Sequence, residues 1–207
     1  YLHYLADPRK EEATMYVNNT YRQQEVYLSM ANRVTVLPFW DINLSVDYQW
    51  NKLNANLTDF PYPRRNTTLV AAATSLHFDR FKFQASVLGT FVHENVASDT
   101  TSAGNKMEFT PTAIASYKPF KNIDFNLRAF YKRIFRMPTL NDLYYTFIGN
   151  IKLKPEYTNQ YNIGFTYQKL FTGTWLQALN VQLDAYYNEV ENKIIATPTN
   201  NFFRWTM

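Results

Sequence analysis

The sequence predicts an all-β fold, an antiparallel up-and-down meander of eight strands with partial strands at each end, forming part of a transmembrane β-barrel. Three observations carry that expectation. Apolar and polar residues alternate with period two through most of the chain, and no stretch keeps a 3.6-residue period over a useful length. The alternating segments run to 11–16 residues. Ordinary strands are ~5–6 residues long, and a tilted strand crosses a bilayer in ~9–11. The connections between them alternate short and long, which in a meander sends the tight turns to one edge and the long loops to the other, as in outer-membrane barrels.

Taken in order, residues 1–5 read as the tail of a strand and the polar, turn-rich 6–19 as a loop. Alternation builds from about Tyr21, and in 26–36 the residues Val26, Leu28, Met30, Val34 and Val36 are apolar. Leu37-Pro38-Phe39 turns the chain into the cleanest strand, 40–50. There Trp40, Ile42, Leu44, Val46, Tyr48 and Trp50 share a face, and Asp41, Asn43, Ser45, Asp47 and Gln49 the other. Residues 51–66, with Pro61 and Pro63, read as a longer loop, followed by a strand at 67–78 and a tight turn at Asp79-Arg80. The next strand covers 81–96, and 97–105 is a polar loop. Strands at 106–117 and 123–135 are joined by the short 118–122 turn; Pro111 lies inside the first and predicts a bulge there. Beyond the long loop at 136–156 come strands at 157–168 and 176–188, then a linker, 189–201, into Phe202-Phe203-Arg204-Trp205. Aromatics near strand ends (Trp40, Trp50, Phe78, Phe81, Tyr117, Phe135, Tyr157, Tyr167) suit the two girdles of such a barrel.

Composition narrows the function classes. The 207 residues hold no cysteine, which removes disulfide scaffolds and thiolate chemistry. The net charge of +4 is spread out, so no phosphate-tracking stripe and no nucleic-acid partner is predicted. His3, His77 and His93 lack metal-ligand spacing, glycine is too sparse for a phosphate loop, and no serine sits in a nucleophile elbow. No enzymatic activity and no cofactor are expected. Tyr62, Arg64 and Arg65 form a candidate exposed aromatic-basic patch for ligand contact in the second loop. The chain opens without an initiator methionine and stops inside a developing strand, so it is read as part of something longer. Two other classes fit the same alternation: a soluble β-sandwich binding a ligand or glycan, and a small complete outer-membrane barrel serving as adhesin or pore.

The long loop has the most specific pattern. It reads Phe135-Arg136-x-Pro138-Thr139-Leu140-x-Asp142-Leu143-Tyr144, then Gly149-Asn150, then Leu153-Lys154-Pro155-Glu156, with Tyr161 and Gly164 in the following strand. The prolines restrict the chain at the two strand ends, Gly149-Asn150 is a natural turn, and Arg136, Asp142, Lys154 and Glu156 are placed to hold the loop by ion pairs. At most one helical turn fits, at 140–145.

Together these residues resemble the TonB-dependent outer-membrane receptors, in a style similar to those of Bacteroidetes-type bacteria. The resemblance implies a 22-stranded barrel around an N-terminal plug, of which this chain supplies a part without the plug. It also implies the cell outer membrane of a Gram-negative bacterium, contact with outer-membrane lipid, and coupling to the TonB complex through the remainder of the protein. The function implied is uptake of a scarce nutrient such as an iron chelate, haem or cobalamin. On this reading the loop is a structured rim element, and the nutrient is held by loops, lumen and plug together.

Overall fold

In the computed structural model, residues 2–6, 17–97, 102–145, 148–173, 175–198 and 203–207 are described. Nine strands form one antiparallel sheet in strict sequence order: β1 (Leu2–Ala6), β2 (Val17–Leu37), β3 (Trp40–Ala55), β4 (Arg64–His77), β5 (Phe81–Asn95), β6 (Lys106–Tyr117), β7 (Asp124–Arg136), β8 (Glu156–Leu170) and β9 (Ala178–Glu191). One helical turn, α1 (Leu140–Tyr144), lies between β7 and β8, and a small hairpin, β10 (Ile195–Pro198) and β11 (Phe203–Thr206), follows β9. The meander is therefore as the alternation predicts, and it does not close on itself. A sandwich needs a second layer facing the first; the nine strands make a single layer, so that alternative falls.

Several boundaries move outward. Residues 17–25 belong to β2, 51–55 to β3 and 64–66 to β4, so the loop expected over 51–66 shrinks to 56–63. These outer ends carry polar residues on both faces, which hides the period-two signal, while the ladder continues because it satisfies the backbone. Residues 7–16 of the first predicted loop and Phe202 lie outside the described residues. The predicted linker contains β10, whose four residues are too short to show a period.

The bulge expected at Pro111 is not there. The β5–β6 register runs unbroken from Phe81↔Tyr117 to Val92↔Lys106, and the irregularity falls instead between Thr35 and Leu37 beside the first turn. Pro111 has a different effect. With no N–H to offer, it marks where β6 leaves β7, whose shared ladder ends at Thr112↔Lys132.

Strand parity gives the sheet two unlike faces. One carries Val26, Leu28 and Met30, the even residues 40–50, Phe83, Val87 and Phe91, and Ile163 and Leu183 beyond them. Its residues stay exposed, Leu28 by 63% and Ile163 by 63%, across an apolar surface much larger than a soluble chain tolerates. Along its short-turn edge Phe39 stacks on Phe78 with centroids 5.4 Å apart, and Phe125 meets Phe120 at 6.1 Å and Phe165 at 5.3 Å.

The opposite face is polar and internally bonded. Arg33 Nη2 donates to Asp41 Oδ2 at 2.6 Å, and Ser29 Oγ to Asp47 Oδ1 at 2.5 Å. Arg128 reaches from β7 across Gly164 of β8 to Asp184 of β9, through Nε at 3.1 Å and Nη2 at 2.6 Å. Gly164 makes that crossing possible. A Cβ there would lie 2.2 Å from Asp184 Oδ1 and 2.6 Å from the Leu183 carbonyl oxygen. Gly164→Ala is expected to cost on the order of 1–3 kcal/mol, as an overpacked site does. Thermal unfolding in detergent checks it, and an unchanged midpoint would show that the pair spans three strands without needing the gap.

Candidate functional site

The segment between β7 and β8 folds back over the polar face as a shaped element. Thr139 caps α1: its Oγ1 accepts from Asp142 N at 3.1 Å, while Asp142 Oδ2 accepts from Thr139 N at 2.9 Å. This capping box satisfies two amide donors that a one-turn helix would otherwise leave open. Gly149 N then donates to Tyr145 O at 2.7 Å and Asn150 N to Asp142 O at 2.8 Å, which curls the chain after the helix back against it.

Leu140, Leu143, Tyr144 and Leu153 turn inward onto Tyr21, Leu53, Phe60 and Ile194. Tyr145 lies on Tyr21 with centroids 4.4 Å apart. Pro138 and Leu53 are almost wholly enclosed. This cluster is the largest buried apolar core among the described residues, and it belongs to a loop and the wall beneath it.

The loop is anchored by a buried ionic network. Arg65 of β4 donates Nε and Nη2 to Glu94 Oε2 of β5, at 2.8 and 2.6 Å, and its Nη1 to the Pro138 carbonyl at 2.6 Å. Tyr144 donates its hydroxyl to Glu94 Oε1, which also accepts from Ala103 N at 3.2 Å. The Glu94 side chain has no solvent exposure. Burial, followed by the bond to Glu94 and its charge, pushes the Tyr144 phenol well above its ordinary range, so it stays a donor at all physiological pH.

The remaining motif residues take mixed roles. Arg136 lies between Asp142 and Glu156, 3.8 and 3.7 Å away, so three of the four charges expected to hold the loop do meet. Lys154 does not join them: its backbone N–H points to Met207 Sδ at 3.3 Å, and among the described residues its ammonium has no acidic partner. Phe135 meets Tyr157 across β7–β8, with centroids 5.6 Å apart. Asn150 Nδ2 donates to Trp205 O at 3.0 Å, and Trp205 N to Ile148 O at 3.1 Å, which ties the loop to β11. The Pro155 carbonyl accepts from Asn192 Nδ2 at 3.3 Å, and Glu156 Oε2 from Ile194 N at 3.1 Å.

The patch expected from Tyr62, Arg64 and Arg65 does not form. Arg64 and Arg65 are consecutive residues of a strand and point to opposite faces, Arg64 exposed and Arg65 buried with Glu94. Tyr62 is half-buried against Phe60, with a positive φ of 46°.

Between the loop and the polar wall lies a cleft of about 470 Å³, lined by Gln23, Glu25, Gln49, Asn51, Arg65, Thr67, Thr90 and Thr139 together with Leu69, Leu88, Val92, Phe135, Met137 and Leu140. Asn51 Oδ1 is buried and accepts no hydrogen bond among the described residues. Of these strand residues the sequence singles out Arg65 alone for ligand contact, because an alternating polar face looks the same whether it lines a cleft or meets open water.

The β-barrel domain of TonB-dependent receptor-like proteins matches residues 6–206. The chain belongs to that family. Among curated proteins, this receptor barrel is similar to the vitamin B12 transporter BtuB of Vibrio vulnificus (strain YJ016), 26% identical over 182 residues, which is 86% of this chain and 27% of that relative. Two solved structures share its fold. The hemophore receptor HasR of Serratia marcescens, solved as a double mutant with its hemophore HasA and haem, superposes with a TM-score of 0.65 at 12% identity, over 91% of this chain and 37% of HasR. The copper transporter OprC superposes with a TM-score of 0.70 at 15% identity, over 97% of this chain and 36% of OprC. The TonB-dependent receptor barrel present here thus spans between about a quarter and two fifths of each.

Proposed function

We propose that this chain is the wall and outer rim of an outer-membrane receptor that imports a scarce nutrient by TonB-coupled transport. The cargo class is an iron chelate, haem or cobalamin. The observation that carries the proposal is the cleft beneath the inward-folded loop: amide, hydroxyl and carboxylate groups interleaved with apolar side chains, and an Asn51 acceptor with no donor among the described residues. A buried acceptor of this kind costs ~1–3 kcal/mol until a donor arrives, so cargo bearing N–H or O–H groups at its periphery would gain by binding here. Cobalamin, with its ring of amides, suits that wall better than haem. The family match and the likeness to a vitamin B12 transporter support the same reading.

The test is uptake by the whole receptor in a bacterial strain deleted for it, offered labelled cyanocobalamin, haemin and a ferric siderophore in parallel. Accumulation of one cargo, abolished by a protonophore that removes the energy supply, is the expected result. Asn51→Leu should weaken retention of that cargo about tenfold, as loss of one well-made hydrogen bond does. Accumulation that persists with the protonophore would overturn TonB coupling, and no accumulation of any cargo would overturn the transport reading.

A further inference from the structure

On β2–β4 the apolar face ends in a group of cations at the long-loop edge. On β3 the lipid-facing row runs Val46, Tyr48, Trp50 and then Lys52. Lys52 lies directly opposite Arg64 of β4 in the ladder, and Arg22 of β2 lies one pair further toward the loops, opposite Asn54. Parity puts all three on the lipid-facing side. Cross-strand Cβ atoms are ~4.5–5.5 Å apart, so Lys52 and Arg64 form a like-charge pair, which destabilises a ladder unless an anion sits between the two.

Among the described residues no acidic side chain does so. The nearest acids on these strands turn the other way. Glu25 accepts from Gln49 Nε2 at 2.7 Å on the polar face, and Glu94 is buried with Arg65. Among the described residues Arg22, Lys52 and Arg64 have no acidic partner. The depth is equally specific. Trp40 and Trp50 bound the lipid-facing part of β3 at its two ends, and Lys52 is the next residue on that face beyond Trp50. Interfacial tryptophan marks the headgroup level, and the phosphates of a leaflet lie just outside it.

The geometry points to a binding site for a phosphorylated lipid headgroup at Lys52 and Arg64, with Arg22 as the outer contact, in the leaflet at the long-loop edge. The guanidinium of Arg64 offers a fork to two phosphate oxygens and the Lys52 ammonium a point charge beside it. Tyr48 and Trp50 below them present flat apolar surface to the acyl chains. The site rests on the membrane-barrel reading above and is independent of which nutrient is carried.

Its test uses the full-length receptor in nanodiscs of neutral phosphatidylcholine doped with lipid A, either phosphorylated or enzymatically dephosphorylated, with retained lipid counted by native mass spectrometry. Heat-modifiable gel migration in the same preparation reports barrel folding and membrane insertion separately. The wild type should retain the phosphorylated form about tenfold over the dephosphorylated one. Lys52→Gln with Arg64→Gln should bring that ratio close to one, and Lys52→Arg with Arg64→Lys should preserve it. Equal retention of the two lipids by folded wild type overturns the site, and that arm needs no variant. Full retention by the folded double glutamine variant overturns it too. So does displacement by inorganic phosphate at the same concentration as the lipid, which would mark an anion site with no commitment to a membrane lipid.

Discussion

Arg65→Met is expected to destabilise the loop end of the barrel by on the order of 3–5 kcal/mol, the usual cost of stripping one partner from a buried ion pair. Glu94 would be left fully enclosed with two donors, Tyr144 and Ala103, but no counter-charge, and the Pro138 carbonyl would lose its Nη1 donor. Because Arg65 bonds wall and loop together, the damage should spread to the 137–155 segment, seen as faster proteolysis there as well as a lower unfolding midpoint. The double variant Arg65→Met with Glu94→Leu separates the causes. Replacing both charges removes the unpaired carboxylate, so most of the lost stability should return. A double variant as unstable as the single one would mean that packing, not charge, holds the loop.

The second large effect is expected at Gly149. A Cβ there would lie 2.6 Å from Tyr145 O, 2.7 Å from Tyr145 N and 2.8 Å from Leu143 O. These are backbone atoms, which cannot swing aside as a side-chain tip can. Gly149→Ala must therefore open the curl after α1, at a cost on the order of 1–3 kcal/mol. Hydrogen exchange read residue by residue should show protection lost at the Gly149 and Asn150 amides while β7 and β8 keep theirs. Unchanged protection at those two amides would show that the loop tolerates a wider curl.

The meander was legible because its signals are local. Alternation, strand length and the order of short and long connections need no knowledge of distant partners, and the strand expected over 106–117 matches β6 end for end. The rim motif, within which Arg136 lies 3.8 Å from Asp142 and 3.7 Å from Glu156, was legible as a pattern. Arg65 was not. Its partner Glu94 is 29 residues away, and sequence neighbours Tyr62 and Arg64 suggested a shared patch. With β4 beginning at Arg64, parity alone sets the two arginines on opposite faces. The same holds for Lys52 and Arg64, whose juxtaposition exists only once the β3–β4 register is known. Register is long-range information, and a single sequence carries it weakly.

The bonds from Ile148 and Asn150 to Trp205, the latter across 55 residues of chain, tie the rim loop to β11. Two successive outer loops thereby lose their independence. Any displacement of the α1 segment away from the wall must either break these bonds or drag the β10–β11 hairpin with it. Motion of the two segments then has one degree of freedom instead of two.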